Sequence, residues 1–260
     1  MIAIKKYNRI VSFGCSWTAG DELKDHEILE LDFEECRKLK LKYGFNEFHN
    51  LRNKHNLRYS ELIDKNRNLN LNASWTAKIA EKINLDFINL ANGGTGIDEH
   101  FLEIFRFLKN GYKDSDLILL GLTQYTRIFK WPNHESYRTI LPNLPDFTPV
   151  PRKVLKWNLD NLWSYNNLIV NYLKTIDNIL SLNCNIYVQF ICPSCNPVYE
   201  IEKGNIDSTV TDYFYYIRQK HSDRFLYNGY IENTFNDHCG FGHPCAQKHD
   251  DFANKILEKF

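Results

Sequence analysis

The chain has 260 residues, 43% hydrophobic and 14% aromatic, enough apolar side chain for a core at the upper end of what one domain holds. Lysine plus arginine equals aspartate plus glutamate at 32 each, so no net field draws the chain to nucleic acid or to an anionic membrane; a neutral or locally recognised substrate is expected. No stretch approaches the ~18 consecutive apolar residues of a membrane span, residues 1–7 carry no signal-peptide pattern, and the seven cysteines argue against a secreted disulfide framework, so a cytoplasmic protein with reduced thiols is expected.

Short apolar runs alternate with amphipathic stretches, the pattern of β-α-β units on a parallel sheet. Ile10, Val11 and Phe13 make a first strand that stops at Gly14, and Trp75 to Ile83 has helical periodicity. Phe87, Ile88 and Leu90 make a second strand ending at the cluster Gly93-Gly94-Thr95-Gly96. A helix with Phe101, Leu102, Phe105 and Leu108 on one face follows, then a third strand from Leu117 to Leu120. A helix over Leu162 to Leu180 leads to a fourth strand, Ile186 to Ile191, and Arg224 to Tyr227 reads as a weak fifth; Phe252, Ala253, Ile256 and Leu257 mark a last helix. The expectation is one domain over residues 1–260: a three-layer α/β/α sandwich around a parallel sheet of about five strands. Residues 24–72 are charged and Asn-rich, and residues 130–158 carry five prolines that forbid a long helix; both read as insertions at the rim of the sheet.

In an open parallel sheet the ligand crevice lies beyond the carboxyl ends of the strands. The segments that follow them are therefore candidates for a site: Cys15-Ser16-Trp17-Thr18, Asn92-Gly93-Gly94-Thr95-Gly96, Leu122-Thr123-Gln124, Cys192-Pro193-Ser194-Cys195, and the loop through His238 to His243-Pro244. Together they offer a serine, a histidine and free backbone donors, which are the parts of an acyl-transfer site.

Four of these segments resemble the ordered sequence blocks of the SGNH (GDSL-like) hydrolases. Phe13-Gly14-Cys15-Ser16-Trp17-Thr18-Ala19-Gly20 is similar to that family's Phe-Gly-Asp-Ser-x-Thr-x-Gly, with Cys15 in place of the aspartate. Asn89-Leu90-Ala91-Asn92-Gly93-Gly94 resembles the second block, Gly121-Leu122-Thr123-Gln124 stands in the place of the third, Gly-x-Asn-Asp, and Gly242-His243-Pro244 resembles the last. The resemblance implies a flavodoxin-like fold and a serine esterase or deacetylase that acts without metal or organic cofactor. It implies Ser16 as nucleophile, His243 as general base, and Ser16, Gly94 and Thr123 as oxyanion donors, Thr123 standing where the family has asparagine. The acid usually found three residues before the histidine is missing, because Gly240, Phe241 and Gly242 stand there; Asp237 or a main-chain carbonyl is left to orient His243.

Other features carry alternatives. Cys192, Cys195, Cys239 and Cys245, with nearby histidines, have the residue types of a zinc site or a local disulfide, although without tidy finger spacing. His249 reads as packing in the last helix, and His238 lacks the motif around His243. Trp131, Trp157 and Trp163 suit stacking on sugar rings if they line the proline-rich loop, which favours a small-molecule or glycan ester as substrate and leaves oligomeric state open. The missing acid also fits a catalytically weak or inactive binding protein on the same fold.

Overall fold

The computed structural model of the protein describes residues 6–20, 23, 34–35, 38, 42, 69–92, 95–125, 127–130, 137–139, 165–204, 206–231 and 244–259. Most of the two expected insertions falls outside these residues, as do Trp131, Trp157 and Trp163. The central sheet has four parallel strands, β1 (Arg9–Gly14), β2 (Asp86–Asn89), β3 (Asp116–Leu122) and, after a hairpin of β4 (Arg127–Lys130) and β5 (Tyr137–Thr139), β6 (Ile186–Phe190). Their order is β2-β1-β3-β6. Helices α1 (Ser16–Ala19), α2 (Trp75–Ile83), α3 (Ile97–Asn110), α4 (Tyr165–Leu182), α5 (Val198–Glu202), α6 (Ser208–Lys220) and α7 (Ala246–Leu257) and a 3-10 turn (Pro193–Cys195) accompany the strands among the described residues.

Successive residues of a strand point to opposite faces, so β1 shows where the helical layers lie. Ser12 accepts a hydrogen bond at 3.1 Å from Thr76 of α2, whereas Phe13, on the other face, meets Phe107 of α3 edge to face at 5.8 Å. On the first face α7 packs against α2 through Phe252 and the fully buried Trp75, 5.5 Å apart. On the second, α4 joins α3 through the Thr175–Asp98 hydrogen bond, and α6 joins α4 through the Lys220–Asp177 ion pair. Every residue of β3 and β6 is buried, as a strand covered on both faces requires.

The α/β sandwich with a parallel sheet is as the sequence predicts, but among the described residues the sheet has four strands. The expected fifth strand, Arg224–Tyr227, is reduced to an isolated parallel bridge between Val188 and Phe225. Two main-chain bonds remain, from the Val188 N–H to the Arg224 carbonyl and from the Leu226 N–H to the Val188 carbonyl; beyond them the side chain of buried Gln189 accepts from the Tyr227 N–H at 2.9 Å and donates to the carbonyls of Tyr227 and Gly229, so its amide takes over where the pairing stops. A second difference is the buried face of α3. Ile97, His100 and Ile104 are its buried side chains, at the i, i+3, i+7 spacing of one helical stripe, while Leu102 and Phe105 are exposed. The β4–β5 hairpin, antiparallel, was not foreseen; β5 lies within the proline-bearing stretch.

Candidate active site

From β1 the chain runs to β2 on one side and then crosses back to β3 on the other. The β1/β3 boundary is therefore the topological switch point, where an open parallel sheet leaves a crevice beyond its carboxyl ends. At that boundary Gly14 and Gly121, the glycines of the first and third blocks, are register partners. Gly14 has a positive φ of 148°, and a Cβ there would meet the Gly121 carbonyl at 2.7 Å. The space above both glycines is filled by Thr18 of α1: a Cβ on either one would collide with the Thr18 hydroxyl. The first-block threonine and two glycines about a hundred residues apart are thus one packing unit, which seats α1 directly on the ends of β1 and β3. The Cys15 carbonyl accepts from the N–H groups of Thr18 and Ala19, both at 2.9 Å, so the chain turns from strand into helix at Ser16 without an intervening loop.

The neighbouring segments are tied to this unit by partly buried hydrogen bonds. Asn89, at the end of β2, donates to the Thr18 carbonyl at 3.0 Å and to the Ser74 hydroxyl at 3.1 Å, linking α1, β2 and the start of α2. The Asn92 N–H donates to the Gly14 carbonyl at 2.9 Å, and the Thr95 hydroxyl donates to the Asn92 carbonyl at 2.7 Å. Asn92 and Thr95 are therefore held together against the end of β1; Gly93 and Gly94 lie outside the described residues. Thr123 is fully buried, and its hydroxyl donates to the Thr95 carbonyl at 3.1 Å. A hydroxyl has one proton, so service as an oxyanion donor would require Thr123 to share it with this carbonyl or withdraw it.

From Thr123 the network continues to β6. The Tyr172 hydroxyl lies 2.9 Å from the Thr123 carbonyl and 3.0 Å from the Cys195 carbonyl and is the donor for both. Burial pushes the Tyr172 phenol well above its usual pKa, with nearby Cys195, Cys192 and Cys15 adding to the shift, so it stays a neutral donor. Hydrogen bonds thus join the carboxyl ends of all four strands.

The last segment re-enters the fold on the same side of the molecule as α1. Pro244 is buried, and Cys245 packs against Leu23 and Ala73; the Leu23 N–H bonds the Gly20 carbonyl that closes the first block. His243, Asp237, His238 and Cys239 lie outside the described residues. His249 is buried in the first turns of α7, and its Nδ1 accepts the Trp75 N–H at 3.0 Å, satisfying an otherwise orphaned donor at the start of α2. It packs, as the sequence suggests; that it also serves another helix was not legible there. Cys192 and Cys195 are buried with their sulfurs 2.7 Å apart. Among the described residues no group of three His, Cys, Asp or Glu side chains is placed to hold a metal ion, and Cys245 belongs to a different apolar cluster from Cys192 and Cys195. Nor, among those residues, is any helix long and apolar enough to cross a membrane.

No protein-family model and no curated protein matches the sequence. Solved structures similar to it include a carbohydrate esterase whose active site displays divergent catalytic and non-catalytic binding functions, 15% identical over 97% of this chain and 64% of that one, with a TM-score of 0.46. A member of the lipolytic G-D-S-L family from Veillonella parvula is 14% identical over 97% of each chain, with a TM-score of 0.44. An acetyl xylan esterase from Butyrivibrio proteoclasticus is 12% identical over 97% of this chain and 63% of that one, with a TM-score of 0.46. The chain thus spans less than two thirds of the length of these two carbohydrate esterases.

Proposed function

We propose that the chain is a serine hydrolase of the SGNH type, removing a small acyl group from an ester with Ser16 as nucleophile and His243 as its base. The observation that carries this reading is the packing of Thr18 on Gly14 and Gly121, which sets Ser16 at the first turn of α1 beside the switch-point crevice. In the reaction His243 takes the Ser16 proton as the hydroxyl attacks the acyl carbon, and the N–H groups of Ser16 and Gly94 receive the developing oxyanion. Collapse of the tetrahedral intermediate expels the alcohol, protonated by His243, and water repeats the cycle to release the acid. Asp237 or a main-chain carbonyl orients the imidazole. Support for His243 comes from its sequence context, Gly242-His243-Pro244 just ahead of the last helix. An acetyl ester of a carbohydrate is the substrate class we favour, because Trp131, Trp157 and Trp163 fall in or beside the proline-rich segment after β3.

The test is labelling of the folded protein by a fluorophosphonate. Ser16 is expected to be modified, and Ser16→Ala is expected to lose both labelling and hydrolysis of p-nitrophenyl acetate while unfolding as the wild type does. One observation favours a second reading, a crevice that binds without catalysis: the Thr123 hydroxyl is engaged by the Thr95 carbonyl, leaving two main-chain N–H groups as oxyanion donors. An unlabelled Ser16 in folded protein would establish that reading and overturn the first.

A further inference from the structure

Beyond ester hydrolysis, and independent of it, we propose that Cys192 and Cys195 are a modification site, a dithiol that exchanges with small-molecule disulfides to form an intramolecular disulfide at the carboxyl end of β6. Cys192 caps and Cys195 ends a single 3-10 turn, Pro193–Cys195, in which the Cys195 N–H bonds the Cys192 carbonyl at 3.0 Å. Their sulfurs are 2.7 Å apart, so little backbone movement separates the pair from a bond of about 2.05 Å. The contact is an S–H···S hydrogen bond between two thiols buried at the edge of the core.

The asymmetry of the pair assigns the roles. Cys192 keeps 7% of its surface exposed and Cys195 only 1%, and exposed Pro193 stands between them. The Cys192 thiolate attacks the disulfide RS–SR, forming a Cys192–SR bond and releasing one RS⁻, which takes up a proton. The Cys195 thiolate then attacks the Cys192 sulfur, forming the Cys192–Cys195 bond and releasing the second thiol. Overall, two protein thiols and one RS–SR become one protein disulfide and two RSH; excess RSH reverses it. Because the Cys195 carbonyl shares the Tyr172 hydroxyl with Thr123, closing the bond fixes the turn that anchors one end of the network across the strand ends.

Folded protein would be equilibrated in buffers of increasing oxidised over reduced glutathione, quenched with a thiol alkylating reagent and read by mass spectrometry, with exposed Cys184 as an internal control. The expected result is a peptide two hydrogens lighter with Cys192 and Cys195 unalkylated, fully restored by excess reduced glutathione, and the same in Ser16→Ala, so that failure of the esterase reading leaves it untouched. Cys195→Ser is expected to accumulate glutathione on Cys192. Three outcomes would overturn the proposal: both thiols alkylated in every buffer while Cys184 is glutathionylated, a lasting single adduct on wild-type Cys192, or protection of the pair by one bound zinc that a chelator removes.

Discussion

Gly121 on β3 gives up its side chain to Thr18 on α1: a Cβ at position 121 would stand where the Thr18 hydroxyl is, with the Ile191 side chain 3.3 Å away on the other side. The contact joins the first block of the sequence to the third and holds α1 against the switch point. Gly121→Ala is therefore expected to destabilise the protein by about 1–3 kcal/mol, the usual cost of overpacking a core. The urea midpoint measures it. Thr18→Ala in the same chain should recover most of the loss, because it removes the colliding hydroxyl and leaves the Cβ at 3.1 Å; a double variant no more stable than Gly121→Ala would show that the collision is not the cause.

Tyr172→Phe keeps the ring and removes the one proton that serves the carbonyls of Thr123 and Cys195. Two buried acceptors lose a donor, so a loss of about 1–3 kcal/mol is expected in equilibrium unfolding. Faster backbone amide exchange should follow around Thr123 and Cys195 and not at the Arg9–Asp116 ion pair at the opposite end of the strands.

His243 and His249 should separate cleanly. His243→Ala is expected to lower ester hydrolysis by about 10²–10⁴-fold with an unchanged unfolding midpoint, and wild-type activity should fall as pH drops below about 6.5, where a free imidazole gains its proton. His249→Ala should do the reverse: it orphans the buried Trp75 N–H and costs about 1–3 kcal/mol, with activity per folded molecule retained. The paired measurements are kinetics with p-nitrophenyl acetate and urea unfolding of both variants.

Asp177 predicts an acid-side weakness. Partial burial raises its pKa, but hydrogen bonds from Lys220 and His221, each at 2.7 Å, outweigh burial and hold it below the usual carboxylate value. A carboxyl depressed in the folded state stabilises fully above its unfolded pKa, about 3.9, and loses that contribution as pH falls through the folded value. Asp177→Asn is expected to flatten the stability–pH curve in that range and to leave hydrolysis unchanged. A variant curve parallel to wild type between pH 2 and 5 would refute the coupling.

The sequence by itself determined the parallel α/β class, the position of four strands and the candidate nucleophile, because these are local signals: short apolar runs, and a block of eight residues around Ser16. It did not determine which side chains of α3 are buried, nor that the Gln189 side chain would take over where the pairing with residues 224–226 stops; both depend on what lies opposite in space. Only the tertiary structure decided that Thr123 spends its hydroxyl on Thr95, that His249 serves Trp75, and that Gly14, Thr18 and Gly121 are one contact. A hydroxyl, an imidazole or a missing Cβ has the same chemistry in any sequence, and its role is set by the partner that packing brings within about 3 Å.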